Sequence, residues 1–346
     1  MNAARLRTLI GLELTQRMRS VAWYVLLGVF AAVLIVVTVL SFLVFGMQNY
    51  SGPGIYSAIV YIVLLLVVLV SPTLSGNAIN GDREAATLAP VQITLATTGE
   101  IIIAKFLAAW ITGLAFVVVA VPFLLIAMTA GGVNIPTVIV SLLVLIFEIG
   151  IVSAIGVGLS GLIAKPLFSV TSTYLVVAAL TIGTLIIFGL AGASIRSTVT
   201  SEYRYGMYEE SGSGTLECGS WETSTYETPR FDYVWWTLAA NPFVILADAT
   251  PTSYDPSGYP DDVFGQIKYG LRSAQIPPDL NVKYDDCNPS SSQWQGPDHR
   301  EVIDSTVPSW FVGMALQVVL AAALLFGAYS RTRTPARRLP PGTRIA

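Results

Sequence analysis

Charge is scarce in this chain. Asp, Glu, Lys and Arg make up only 12% of its 346 residues, against about 25% in ordinary soluble domains. Most of the chain therefore has no means of staying dissolved in water. Histidine is scarcer still, and the single one, His299, lies between Asp298 and Arg300, outside the apolar stretches. Neither a histidine triad nor an H-E-x-x-H zinc site can be built among those stretches, and His299 reads as a solvated loop residue. No G-x-x-x-x-G-K-[ST] run occurs, so the chain lacks the backbone cradle and lysine that nucleotide hydrolysis requires. No period of about 20 to 50 residues repeats, which sets aside solenoids and propellers. Nucleic acid is not an expected partner.

What is present in abundance is apolar length: hydrophobic residues are 53% of the chain. A membrane span needs about 20 consecutive apolar residues to cross about 30 Å of hydrocarbon. Six stretches qualify, near Val21 to Met47, Gly54 to Ala78, Ile101 to Ala130, Thr137 to Ala164, Leu167 to Ala193 and Val307 to Tyr329. The first is expected to remain as a span, because no small-residue cleavage site follows it promptly.

Orientation follows from where the basic residues fall in the short connections. Of 19 Lys and Arg, 12 lie before the first span, in the stretch around Gly81 to Lys105, at Lys165 and after Tyr329. The remaining seven share Ser194 to Thr306 with 17 of the 22 acids, making that segment −10 and the predicted cytosolic parts +8. Both termini are accordingly expected in the cytoplasm of a multi-pass cell-membrane protein. The expected fold class is an all-α membrane protein with six transmembrane helices, an N-terminal interfacial helix and a disulfide-stabilised outer domain between spans five and six.

Taken in order, residues 1–20 carry Leu6, Ile10, Leu14 and Met18 at a spacing of four, which predicts an amphipathic interfacial helix. Glu13 and Arg17 are also four apart and so placed to pair along it. Residues 21–193 hold five spans, with a polar connection over 80–100. The fourth span contains Gly150, Gly156, Gly158 and Gly161 with Ser153 and Ser160, a face on which backbones can approach closely. Glu148, in the same span, is the one ionisable residue placed deep in a span; it reads either as a contact in an inner cavity or as a packing residue, with Gln317 of the last span as a possible polar partner.

Residues 194–306 are rich in Gly, Ser, Pro, Tyr and acids and form the outer domain. Cys218 and Cys287 both fall there, in a compartment that permits oxidation, so a disulfide is expected, with two buried thiols as the alternative. Within it, residues 233–249, YVWWTLAANPFVILADA, are apolar enough to raise a seventh span, but that would carry Arg331, Arg333, Arg337 and Arg338 outside. A re-entrant or interfacial segment is preferred, with Trp235 and Trp236 at the headgroup level and a break at Asn241 and Pro242. Residues 307–330 are the sixth span, and 331–346 form a basic, Pro-rich tail suited to anionic lipid.

The stretch GDREAATLAPVQITLATTGEIIIAK, Gly81 to Lys105, concentrates charge between the second and third spans. Here the chain resembles the type-two family of ABC transporter permeases. Members carry an E-R-E-x-G-T-L-like run followed by E-I-x-x-x-K entering the third span; these positions read Asp82, Arg83, Glu84, Thr87 and Leu88, then Glu100, Ile101 and Lys105, with Ala86 where a glycine is usual. Leu12 and Glu13 with the arginines around them resemble the family's interfacial helix, and Asn241, Pro242 and Phe243 its outer N-P-F element. The resemblance implies a permease dimer served by two cytosolic ATPase subunits that bind the ATP and Mg. In it Asp82, Arg83, Glu84, Thr87, Leu88, Glu100, Lys105 and Glu13 would lie at the coupling to the ATPase, and an exported cargo would be hydrophobic or amphipathic. A secondary transporter or channel built on Glu148, and a membrane-anchored sensor with an outer binding domain, are the competing readings.

Overall fold

The computed structural model describes residues 2–46, 52–86, 96–208, 216–288 and 298–333. Among them, six helices are long and apolar enough to cross a membrane, which marks a multi-pass membrane protein. Helix α1 (Ala3–Met18) precedes the first of these, α2 (Val21–Phe45). Then come α3 (Gly52–Ser75), a short α4 (Asn80–Glu84), α5 (Thr98–Thr129), α6 (Ile135–Leu162) and α7 (Pro166–Ser194), the last interrupted by a π-helical turn at Ala179–Gly183. After a long intervening segment, α11 (Trp310–Thr332) completes the set. At about 1.5 Å per residue, 23 to 32 residues suffice for about 30 Å of hydrocarbon.

Helix α6 is the centre of the bundle, flanked by α3, α5, α7 and α11. Its small residues decide how near the neighbours come: a β-carbon at Gly156 would collide with Ser75 of α3, and one at Gly158 or Gly161 with Leu324 or Ala328 of α11. Lipid tails are as apolar as leucine, so close van der Waals packing, rather than escape from water, must hold such helices together. Polar links add to it, as where Tyr56 and Ser141 share a hydrogen bond of 2.9 Å between α3 and α6.

The segment between α7 and α11 departs from the all-α expectation. Strands β1 (Arg196–Arg204), β4 (Glu222–Pro229) and β5 (Asn281–Asp285) form a sheet in the order β4-β1-β5, with β1 antiparallel to β4 and parallel to β5. A second ribbon pairs β2 (Gly206–Tyr208) with β3 (Leu216–Cys218). Sequences such as ETSTYETP are rich in Thr and Tyr, which favour strands, but they are polar on both faces and show no apolar alternation. Disulfide Cys218–Cys287 fastens the end of β3 just beyond β5.

Residues 233–249 do not span. They form short 3-10 turns at Phe231–Tyr233 and Trp235–Leu238, then α8 (Pro242–Ala249), with the expected break at Asn241. Eight residues cover about 12 Å, too little to cross. Asn241 caps α8 and sends its amide to Thr181 O (2.7 Å) and Thr184 Oγ1 (2.9 Å), in and beside the π turn of α7. Pro242 sits buried in the first turn of α8, and Phe243 stacks on Tyr61 of α3. Trp236 is largely exposed and Trp235 half-buried.

Two further helices, α9 (Val263–Ser273) and α10 (His299–Ser305), complete the segment. His299 is no loose loop residue: its ring lies 4.3 Å from those of both Tyr259 and Tyr269. The whole segment is seated through Asp248 of α8, whose carboxylate accepts from Arg272 Nε (2.8 Å), Ser309 N (2.6 Å) and Trp310 N (3.0 Å). An anion thereby closes the N-terminus of α11, where free amides and the helix dipole favour it. A smaller link joins the other side, Val263 N donating to Ser57 Oγ of α3 at 3.0 Å.

Asp262 caps α9 through Gly265 N at 2.6 Å. Burial, with Asp261 beside it, pushes its carboxyl up to about 7 from the usual 3.8, against the pull of the Gly265 amide and Lys268. Between about pH 4 and pH 7 the folded state thus holds the proton that the unfolded chain gives up, so stability falls as pH rises through that window. Asp232 and Asp285, held low by Arg230 and Arg204, act only below it. Thermal melts at about pH 5 and about pH 8 should show the higher midpoint in acid, and Asp262→Asn should reduce that difference. Replacing both cysteines by serine frees a loop with a sequence separation of 69; the cost should be about 4 kcal/mol by the chain-entropy argument, read as earlier proteolysis of the segment between α7 and α11.

Candidate functional site

Lysine is a poor residue to bury, yet Lys105, in the second turn of α5, is 3% exposed. Its ammonium lies 2.5 Å from Glu13 Oε1 of α1 and 2.5 Å from Asp82 Oδ2 of α4. One cation therefore ties three separate elements at a single point. A buried cation without partners costs several kcal/mol, which two carboxylates offset. The i, i+4 pairing of Glu13 with Arg17 offers only a few tenths of a kcal/mol, and it does not form. Glu13 goes to Lys105, while Arg17 donates to the free carbonyl of Leu74 at the end of α3 (2.8 Å). Burial lowers the Arg17 guanidinium from its ordinary value, and the charges of Glu13 and Asp82 resist that.

The face of α1 turned to the bundle consists of Arg5, Leu6, Leu9, Ile10, Glu13, Leu14 and Arg17, all half-buried, whereas Met18 is exposed. The stripe thus includes charged residues beside the apolar ones, with Glu13 paired to Lys105 and Arg17 to the Leu74 carbonyl.

Glu100 is fully buried and both of its oxygens are used. Thr97 N donates to one at 2.9 Å and Asn2 N to the other at 2.7 Å, and Thr97 Oγ1 accepts from Glu100 N at 3.3 Å. This is a capping box on α5 that also holds the start of α1. Arg83 reaches across the same end, donating to Gly161 O of α6 (3.2 Å) and Thr332 Oγ1 of α11 (2.9 Å). Ser160 Oγ accepts from Ile79 N (2.8 Å) and Asn80 N (3.1 Å) and donates to Asn80 Oδ1 (3.0 Å), which fixes the chain entering α4.

The sequence-predicted residues therefore divide. Glu13, Asp82 and Lys105 meet; Arg83 and Glu100 brace the same end from separate positions; Glu84 is exposed on α4. Thr87 and Leu88 lie outside the described residues. Ala86, the last residue before them, has φ +56°, in the left-handed region that glycine adopts without strain. Asn80, Ser160 and Arg17 had not been singled out: Ser160 read as a packing residue and Arg17 as a local partner. A cleft of about 410 Å³ opens beside the clamp, walled by Glu13, Arg17, Trp23, Asn77 and Asp82.

In mid-bundle, Glu148 and Gln317 of α11 are each 1% exposed and lie near one another, and the Oε1 atom of each stands without a hydrogen-bond partner. No family model matches the chain, and no curated protein matches it either.

Lys105→Ala should lower stability by about 3 to 5 kcal/mol, since it leaves two carboxylates facing one another without their cation. Melting in detergent tests this: Glu84→Gln, on the exposed side of the same turn, should stay within about 0.5 kcal/mol of wild type. Neutralising Glu13 and Asp82 together with Lys105→Met should recover part of the loss.

Proposed function

We propose that this chain is the membrane-spanning permease subunit of an ABC exporter, working with a second permease subunit and a separate cytosolic ATPase. The observation that carries the reading is the Lys105 clamp. A short charged helix between two spans and an amphipathic helix ahead of the first are locked to one lysine of α5. A push on α4 or α1 is then delivered to α3 and α5 as a rigid-body displacement, rather than lost in a soft loop. Arg83 and Ser160 extend the connection to α6 and α11, so four of the six spans share that end.

On this reading the clamp end faces the cytoplasm, both termini lie there, and the exposed Glu84 and the residues that follow α4 form the contact with the ATPase. The partner binds ATP and Mg and performs the hydrolysis; the chain itself is no enzyme. Residues 194–306 lie outside the cell. The apolar walls of the bundle favour a hydrophobic or amphipathic cargo.

Purification from native membranes in mild detergent, followed by mass spectrometry, should recover an ATPase in stoichiometric amount, with hydrolysis inhibited by vanadate. Charge reversal by Glu84→Lys should weaken that association while leaving the melting temperature unchanged. A chain that purifies alone and moves solute in vesicles without ATP would overturn the reading.

A further inference from the structure

Two buried oxygens in the middle of the bundle lack donors. Among the described residues, Glu148 Oε1 and Gln317 Oε1 are both fully screened from solvent and neither accepts a hydrogen bond. Gln317 spends its amide on Ala240 O at 3.1 Å, next to the Asn241 break. Buried acceptors are almost always satisfied, and each exception calls for an explanation. The two residues are neighbours across the packed helices α6 and α11, each 1% exposed.

The surroundings sharpen the case. Among the described residues no ion pair involves Glu148, and the adjacent core is aliphatic, with Leu145, Ile149 and Val152 on the same helix. A bare carboxylate here would carry an uncompensated charge at a cost of several kcal/mol. What both oxygens lack is one hydrogen.

We propose that Glu148 and Gln317 form a proton-binding site in which Glu148 is held as the neutral acid and donates its O–H to Gln317 Oε1. One proton removes the charge and supplies the missing donor at once. The resulting chain runs from Glu148 to Gln317 to the Ala240 carbonyl, joining α6, α11 and the seat of the outer segment. No cargo or ATPase is needed for it, so it stands independently of the proposed function.

Infrared spectra of the full-length protein in lipid nanodiscs test the proposal at about pH 8, above the value of about 7 reached by Asp262. Wild type should show a protonated-carboxyl stretch, shifted in heavy water, that disappears in Glu148→Gln. That variant should melt at or above the wild-type temperature, because its amide supplies the same donor. Should Glu148→Gln fail to fold, Gln317→Leu gives the answer: the band should persist and move to higher frequency as its acceptor is lost. Absence of the band in wild type, an unmoved band in Gln317→Leu, or melting that depends on sodium through Glu148 would each overturn the proposal.

Discussion

A lysine removed from water and held between two carboxylates is the constraint on which one whole end of this molecule is arranged. The cost of burying Lys105 makes its two partners obligatory, and those partners come from α1 and α4. Neither element carries enough apolar surface to define its own position: α1 has no fully buried residue and α4 is five residues long. Their placement is therefore an electrostatic matter, set by where α5 presents its ammonium. Once they are set, Arg83 finds acceptors on α6 and α11, and Ser160 of α6 finds its partners at Ile79 and Asn80.

The opposite end uses the same chemistry with the signs exchanged. Asp248 is buried, receives the guanidinium of Arg272, and turns its other oxygen to the first amides of α11. The helix α11 is thus fixed at one end by Asp248 of α8 and at the other by Thr332, which accepts from Arg83. Between these ends, packing depends on missing side chains at Gly156, Gly158 and Gly161. A bundle so arranged is stiff along its helices and has its polar contacts gathered at the two ends, which suits a body that moves as a unit.

Much of this was legible beforehand, and unevenly. The six spans, the break at Asn241 and Pro242, the glycine face of α6 and the pairing of Cys218 with Cys287 were all read from residue type and spacing. The three-stranded sheet was not, because Glu222–Pro229 is exposed along almost its whole length and a strand with two wet faces leaves no alternation to detect. Glu13 was assigned to the wrong cation for a different reason. The nearby Arg17 is a weak partner that sequence can see, while Lys105 is a strong one 92 positions away. Glu100 looked like a surface charge and instead satisfies two backbone amides inside the fold.

The number of helices long and apolar enough to cross a membrane, the uneven distribution of charge along the chain and the polar character of residues 194–306 are additive properties of short stretches, so composition along the chain determined them. Partners for buried charge are a different kind of quantity. Which carboxylate meets Lys105, which amides meet Asp248 and whether Glu148 meets Gln317 depend on elements that come together only when the bundle closes. The tertiary structure decided these, since the free energy of a buried charge is set by what stands beside it in space.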